Sequence, residues 1–248
     1  MPDHPYPPAA PDTAAHLSLR ERLLYARSLV QGRLVLTTSF GIEDQLLTHE
    51  AAQAGIDFEL VTLDTGRLFA ETHEVWDATE RRYGLRIHAF VPDAPTLEAL
   101  VTRIGINGFR ESVENRHACC RVRKIEPLGR ALAGAAGWIS GLRASQSATR
   151  AAVAFTAPDD TLGLLRIHPL YDWTRAQVTD ALHASLIPYN RLEDAGMPSI
   201  GCQPCTRAIR PGEDERAGRW WWEQETAREC GLHVGADGRL VRSQQQAG

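Results

Sequence analysis

The fold can be inferred first from the segment Leu34-Val35-Leu36-Thr37-Thr38-Ser39-Phe40-Gly41-Ile42-Glu43-Asp44. Its first five residues are apolar or β-branched and predict a short buried strand. After the turn at residues 39–41, apolar residues recur at the spacing of one helix face until Gly55, which predicts a helix. A buried strand that turns directly into a helix is the first half of a βαβ unit.

The same alternation extends in both directions along the chain. Upstream, Ser18 and Glu21 have capping-box spacing and should begin a helix that ends at Gly32. Downstream, a helix is predicted over residues 71–83, and strands are predicted near residues 58–63, 85–91, 138–141 and 164–168. We therefore expect an α/β fold with a mostly parallel twisted sheet and helices on both faces. Ligands of such sheets bind beyond the carboxyl ends of the strands, which are here residues 39–44, 64–67 and 141–150.

The ends of the chain differ in character from this alternating region. Residues 1–16 are rich in proline and are expected to form a disordered leader. Residues 17–199 form the predicted α/β domain. Residues 200–248 are rich in Cys, Trp and Arg and are expected to fold over the crevice of the sheet as a C-terminal segment.

Composition excludes several classes of protein. The chain has 248 residues, with 27 Lys and Arg against 31 Asp and Glu, so its net charge of −4 argues against bulk binding of nucleic acid. We find no signal peptide and no uninterrupted apolar run of the length that a bilayer requires, about 18 residues. The five cysteines are an odd number, which disfavours a secreted disulfide framework. A soluble, cytoplasmic protein that binds no membrane is expected.

Four of the five cysteines are paired along the chain. Cys202 and Cys205 form a CxxC motif, and Cys119 and Cys120 are adjacent. Four soft thiolates suit either zinc or an iron–sulfur cluster, and adjacent ligands favour a [4Fe–4S] cluster because its iron corners are separate. Buried free thiols are the alternative.

The fifth cysteine, Cys230, stands alone near the end of the chain. Its glycine-flanked position gives the access that a nucleophile needs, although an incidental surface thiol fits as well. His233 is a candidate to position or activate it. Trp220, Trp221 and Trp222, if helical, point in different directions and are expected to pin the segment to the body rather than to stack on bases.

Several motifs together resemble the assimilatory sulfonucleotide reductases, in particular the cluster-containing adenylyl-sulfate (APS) reductases. They cover residues 35–235 in the expected order, and Ala70 and Met197 are the two departures from the usual pattern. The matching stretches are residues 39–44, 63–67 and 119–124, Gly141-Leu142-Arg143 with Gln146-Ser147, and residues 199–207, 216–223 and 229–233.

This resemblance implies a fold like that of the adenine nucleotide alpha hydrolases and makes residues 17–199 a nucleotide-binding reductase domain. It implies that Cys119, Cys120, Cys202 and Cys205 hold a [4Fe–4S] cluster. It also implies that Cys230 attacks the sulfur of adenosine 5′-phosphosulfate (APS), expels AMP and carries an S-sulfonate. Thioredoxin or a glutaredoxin-like dithiol would then release sulfite.

Motif matches also give candidates for substrate binding. Cations stabilise the negative charge that builds on a phosphosulfate, and the candidates are Lys124, as a catalytic residue, with Arg143, Arg216 and Arg219. Further candidates are Ser39, Phe40 and Gly41 in the first turn and Asp64, Thr65 and Gly66 in the second, where an ordinary strand cap is the competing interpretation. Glu43 and Asp44 would repel a triphosphate.

Three alternatives remain open at this point. The chain could reduce the 3′-phosphorylated substrate PAPS, or adenylate a substrate with ATP as the ATP pyrophosphatases do. The paired cysteines could instead form a structural zinc site in an interaction module. A homo-oligomer is possible under each of these hypotheses.

Overall fold

A computed structural model of the chain describes residues 14–146 and 150–223, together with the backbone of residues 232–234 and 240–242. Strands and helices alternate over most of this length. The elements are α1 (Leu19–Leu29), β1 (Leu34–Thr38), α2 (Ile42–Gln53), β2 (Glu59–Leu63), α3 (Ala70–Tyr83), β3 (His88–Phe90), α4 (Ala94–Ile104), α5 (Val113–Cys120), α6 (Glu126–Leu132), β4 (Gly137–Ile139), β5 (Thr156–Asp159), β6 (Leu164–Ile167), α7 (Arg175–Ala184), β7 (Leu232–Val234) and β8 (Leu240–Arg242).

The α/β prediction is confirmed by a six-stranded sheet in the order β3-β2-β1-β4-β6-β5. Strand β1 lies near the centre and pairs in parallel with β2 and β4, with Leu36 opposite both Leu60 and Ile139. Val35 and Leu36 are fully buried because helices cover the two faces of the sheet. The carboxyl ends of β1, β2, β4 and β6 therefore meet at one edge.

The elements in and around residues 34–44 have the predicted positions. Strand β1 covers Leu34–Thr38 and α2 begins at Ile42. The capping box of α1 forms, since the Ser18 side chain accepts from the Glu21 backbone while Glu21 caps Ser18 in return. Gly84 ends α3 in the left-handed conformation at φ 63°, which glycine adopts without strain.

Two strands differ from the prediction. Strand β3 has only three residues, His88–Phe90, although residues 85–91 were expected to be extended. Strand β5, Thr156–Asp159, was not predicted, and it runs antiparallel to β6 at the edge of the sheet. The sequence signal for β5 is weak because Pro158 lies within it.

A long helical segment follows the short 3-10 helix at Gly108–Arg110 and carries the first cysteine pair. Helix α5 ends at Cys120, continues as a π-helix over Arg121–Ile125, and then becomes α6. A π segment inserts an extra residue into a turn and shifts the direction of the side chains that follow, and such segments are frequent at functional sites. Lys124 lies within it.

The two terminal segments are described in part. Residues 1–13 of the predicted leader lie outside the described residues, whereas Ala14 is buried in the core and the Ala15 carbonyl accepts from Arg22. The folded body therefore includes residues 14–16, which the prediction assigned to the leader. From residue 200 to 223 the chain forms turns around a bridge between Thr206 and Arg219. None of the helices among the described residues is both long and apolar enough to cross a bilayer.

Candidate active site

A cavity of about 360 Å³ opens at the carboxyl ends of the parallel strands. This volume lies in the range of small-molecule binding sites. Its wall is built from the turn after β1, the start of the loop after β2, the π-helix, the loop after β4, the end of β6 and the C-terminal segment. Of the predicted site residues, the wall includes Ser39, Phe40, Gly41, Thr65, Lys124, Arg216 and Arg219.

The turn after β1 is closed by its own side chains. The backbone and hydroxyl of Ser39 both donate to Asp44, at 2.7 and 2.8 Å. Phe40 has a φ of 61°, is 1% exposed and stacks on Trp76 with ring centroids 5.6 Å apart. Burial raises the pKa of Asp44 to about 6, against the opposing effect of the Ser39 hydrogen bonds. The turn is thus held rigidly at the amino end of α2.

In the turn after β2, one predicted residue lines the cavity and two others hold the loop together. The Asp64 carboxylate accepts the backbone N–H of Gly66 at 2.9 Å, and neither residue lines the cavity. Thr65 does line it, and its hydroxyl lies 3.3 Å from the Cys202 sulfur. This hydrogen bond just after β2 is what the competing interpretation of Asp64, an ordinary strand cap, predicts.

Three of the four predicted cations reach the cavity wall. Lys124 extends from the π-helix, and Arg216 and Arg219 come from the C-terminal segment. The Arg219 guanidinium lies directly against Gly201, where an added Cβ would stand 2.2 Å from Nη2. A larger residue at position 201 would therefore displace the Arg219 guanidinium from this place.

Arg143 has a different environment from the one predicted. It is 0% exposed and does not line the cavity. Its Nε donates to Glu43 at 2.8 Å, and its Nη2 donates to both oxygens of Glu215 at 2.9 and 3.1 Å. The expectation that Arg143 binds substrate directly is therefore corrected, because its donors are already directed at carboxylates inside the protein.

The wall also includes residues that the sequence analysis did not single out, among them Arg166 and His168, whereas Arg150 ends the segment 141–150 that it placed at this edge. Arg166 interrupts the apolar run of β6, and a charge within a buried strand is the signal that could have drawn attention to it. The His168 Nδ1 lies 3.0 Å from the Ser140 hydroxyl. Burial, together with the charge of nearby Arg166, lowers the pKa of His168 to about 3, so the imidazole is neutral.

A second, smaller cavity is lined by all four paired cysteines. Burial raises the pKa of the Cys205 thiol to about 12 and also raises that of Cys119. Lys124 and Arg219 line this cavity as well as the larger one. Across residues 14–146 and 150–223, no three His, Cys, Asp or Glu side chains converge closely enough to hold a single metal ion.

Trp220, Trp221 and Trp222 lie in turns, so the assumption that they are helical was wrong. Trp220 has a φ of 44° and is 1% exposed. Its ring lies between the guanidinium carbons of Arg116 and Arg219, at 4.8 and 4.7 Å from the ring centroid. Trp220 thus pins the C-terminal segment to α5, as expected from its size and apolar character.

The remaining predicted residues have no described side chains. Cys230 and Ser147 lie outside the described residues. His233 belongs to β7, of which the backbone alone is described and which pairs with β8. The roles predicted for Cys230 and His233 stay predictions.

Comparisons with known proteins agree with this architecture. A family model described as the phosphoadenosine phosphosulfate reductase domain matches residues 33–208. Adenosine 5′-phosphosulfate reductase of Agrobacterium fabrum is 52% identical over 222 residues, covering 90% of this chain and 85% of the relative. The enzyme of the same name from Allochromatium vinosum is 50% identical over 200 residues, covering 81% and 78%.

Solved structures show the same fold. The phosphoadenylyl-sulfate (PAPS) reductase from Candida auris superposes with a TM-score of 0.68 at 25% identity, over 79% of this chain and 93% of that chain. The FMN adenylyltransferase from Candida glabrata gives a TM-score of 0.51 at 14% identity, over 95% and 82%, which shows a shared sheet architecture and no more. With a family model matched across β1 to the CxxC motif and relatives about 50% identical over most of their length, the chain belongs to the phosphoadenosine phosphosulfate reductase family.

Proposed function

We propose that this protein is an APS reductase, which converts APS and a dithiol into sulfite, AMP and a disulfide during sulfate assimilation in the cytoplasm. The observation that carries this proposal is the wall shared by two cavities. Lys124 and Arg219 lie between a nucleotide-sized cavity and a cavity lined by four cysteines. The curated relatives named as APS reductases support the choice of substrate.

The larger cavity suits a nucleotide with few negative charges. Lys124, Arg216 and Arg219 provide cations for a phosphosulfate, and arginine forks can hold its oxygens in a fixed orientation. The same wall also includes Arg150 and Arg166, and four acidic side chains offset most of its positive charge, namely Glu43, Asp44, Glu193 and Glu215. A ligand as highly charged as ATP with its triphosphate is therefore disfavoured. This balance favours APS over the adenylation hypothesis.

The smaller cavity suits a [4Fe–4S] cluster better than a zinc ion. Four thiolates around one zinc ion must all lie about 2.3 Å from a single point. A cubane offers each cysteine a separate iron, so its ligands need not converge. Cys119 and Cys120 are adjacent in the chain, and all four paired cysteines line one cavity, which supports the cluster. Cys119, Cys120, Cys202 and Cys205 would hold it, and it would place its charge beside Lys124 and Arg219.

In the proposed reaction, the Cys230 thiolate attacks the sulfur of APS, and the bond between that sulfur and the phosphate oxygen breaks as AMP leaves. Lys124, Arg216 and Arg219 stabilise the charge that develops on the leaving group and on the sulfonyl oxygens. Cys230 then carries an S-sulfonate. One thiol of thioredoxin attacks the Cys230 sulfur and releases sulfite, and the second thiol resolves the mixed disulfide, so the dithiol supplies both electrons.

The test of the reaction is to mix the anaerobic protein with APS and no reductant. We expect mass spectrometry to find a sulfonate on Cys230, and sulfite to appear only after thioredoxin is added. Cys230→Ser should bind nucleotide and keep its colour but form neither product, and AMP in place of APS is the matched control. An unmodified Cys230 in the wild-type protein would contradict the mechanism.

The test of the cluster is the metal content of protein purified without oxygen. We expect a brown protein with about four iron atoms per chain. A colourless protein with one zinc ion would reject the cluster and favour the interaction module.

A further inference from the structure

We propose that Arg143 is a positioning residue, the hub of a buried ladder of alternating charges that fixes the turn carrying Arg216 and Arg219 over the larger cavity. The ladder consists of Glu43, Arg143, Glu215, Arg175 and Glu193. The ligand of the cavity is that of the proposed function, whereas the ladder itself is a feature of the substrate-free protein.

The centre of the ladder is the guanidinium of Arg143. Besides its bonds to Glu43 and Glu215, its Nη1 donates to the Ser145 hydroxyl at 2.7 Å. All three nitrogens are therefore engaged with protein groups. Because the side chain is also fully buried, it can act on a substrate in the cavity only through its neighbours.

The ladder continues beyond Glu215 to a second arginine. Arg175 Nη1 lies 3.6 Å from Glu215 Oε1, and its Nη2 donates to the Glu193 carboxylate. Negative and positive groups thus alternate over five residues. They come from α2, the loop after β4, the C-terminal segment, α7 and the loop after α7, so the ladder ties the C-terminal segment to the α/β domain.

Glu215 transmits this restraint to the cations of the cavity. It immediately precedes Arg216, in a turn where Ala217 N–H donates to the Asp214 carbonyl and Arg219 N–H donates to the Arg216 carbonyl. Without Arg143, Glu43 and Glu215 would face each other with less compensation in a buried site. Glu43 is held in α2, so the turn of Glu215 is the part that would move.

The experiment compares Arg143→Met, Glu215→Met and the double variant, each as the full chain purified without oxygen. The first readout is kcat/KM for APS. We expect Arg143→Met to lose about tenfold or more, because it leaves two buried carboxylates with one cation fewer. Glu215→Met should lose a similar amount, and the double variant should be no worse than either single variant, because each change removes the same restraint on the turn. If Arg143 binds APS directly, Glu215→Met keeps most of the wild-type activity or the two losses multiply in the double variant, and the proposal is wrong.

The second readout is hydrogen exchange of the substrate-free protein, which does not depend on turnover. Amides of residues 213–219 should exchange faster in Arg143→Met and in Glu215→Met, and to a similar extent in the double variant, while β1 stays protected. Arg143→Lys is a milder variant that keeps the charge but cannot bridge both carboxylates, and it should accelerate exchange in the same turn.

Unchanged exchange at residues 213–219 in both Arg143 variants would overturn the ladder proposal. The two proposals fail separately. A wild-type protein that forms no sulfite from APS would reject the proposed function, while the exchange comparison would still decide whether the ladder holds the turn.

Discussion

Arg143 and Arg219 are both almost fully buried, at 0% and 6% exposure, yet they have different surroundings. Carboxylates surround Arg143, whereas Arg219 lies against Gly201 and the Trp220 ring and lines the cavity. Both arginines lie in loops next to glycine or leucine, so local sequence predicts a cation without indicating its partner. Those partners come from distant parts of the chain, such as Glu43 and Glu215.

His168 provides a prediction about acid stability. Its pKa of about 3 in the folded protein lies below its ordinary value of about 6.5, so the unfolded chain binds a proton that the folded protein excludes. Protonation of His168 in the unfolded chain therefore lowers the free energy of unfolding as the pH falls below about 6.5, and has little effect well above that pH. Between pH 7.5 and 5.5, the free energy of unfolding should fall by about 1.4 kcal/mol more for the wild type than for His168→Asn.

Urea unfolding at several pH values measures this difference. His183→Asn, at an exposed position in α7, is the matched control and should follow the wild type. Identical pH slopes for the wild type and His168→Asn would contradict a buried neutral imidazole.

At the level of elements, the C-terminal segment depends on close packing against glycine. Residues 205–207 run beside residues 218–220, since Arg207 N–H donates to the Gly218 carbonyl and Trp220 N–H donates to the Cys205 carbonyl. One cysteine of the CxxC motif and the arginine that reaches the cavity are therefore neighbours in a single unit. A change that displaces one strand of this unit is expected to affect both cavities.

Gly201→Ala tests this packing. The new methyl group would overlap the Arg219 guanidinium, so we expect kcat/KM for APS to fall by about tenfold or more while the protein stays folded. Gly129→Ala, where an added Cβ meets nothing within 4 Å inside α6, is the control. It should keep full activity and gain up to about 1 kcal/mol of stability. Equal activity of the two variants would show that Arg219 does not need its present position.

Local sequence pattern predicts the elements for which several neighbouring signals agree. Strand β1 and helix α2 combine a β-branched run, a turn and helical spacing, and their observed bounds agree with the prediction. Strand β5 is held by its pairing with β6, a contact that local propensity does not encode. Trp220 was considered as part of a helix, but it lies in a turn at a φ of 44°, and Arg116 from α5 packs on its ring, a contact that local sequence does not indicate.

The candidate site likewise contains residues that local motifs predict and residues that only the fold brings together. The turns after β1 and β2 and the cysteine pairs follow from motifs, and the structure brings them to adjacent cavities. Arg166 and His168 were not singled out because their position in the wall depends on the order of the strands rather than on spacing along the chain. Cys230 lies outside the described residues, and its role stays a prediction.

At the scale of the whole molecule, the four cysteines connect α5 with the C-terminal segment. If they hold a cluster, part of its binding energy contributes to folding. Cys202→Ser should therefore lose iron and make residues 200–223 more sensitive to limited proteolysis, while the sheet gives an unchanged far-ultraviolet circular dichroism spectrum. Thr206→Ser, which keeps the hydroxyl that donates to the Cys202 carbonyl, is the control. Wild-type iron content in Cys202→Ser would contradict its assignment as a ligand.

The two edges of the sheet have a consequence for the behaviour of many copies at once. One edge is β3, only three residues long, and the other is β5, four residues long with Pro158 removing a backbone donor. A long edge with open donors and acceptors would let a second molecule extend the sheet and start an aggregate. Short and interrupted edges give little template for such growth, so the six-stranded sheet resists joining strand to strand with the same sheet of a crowded copy.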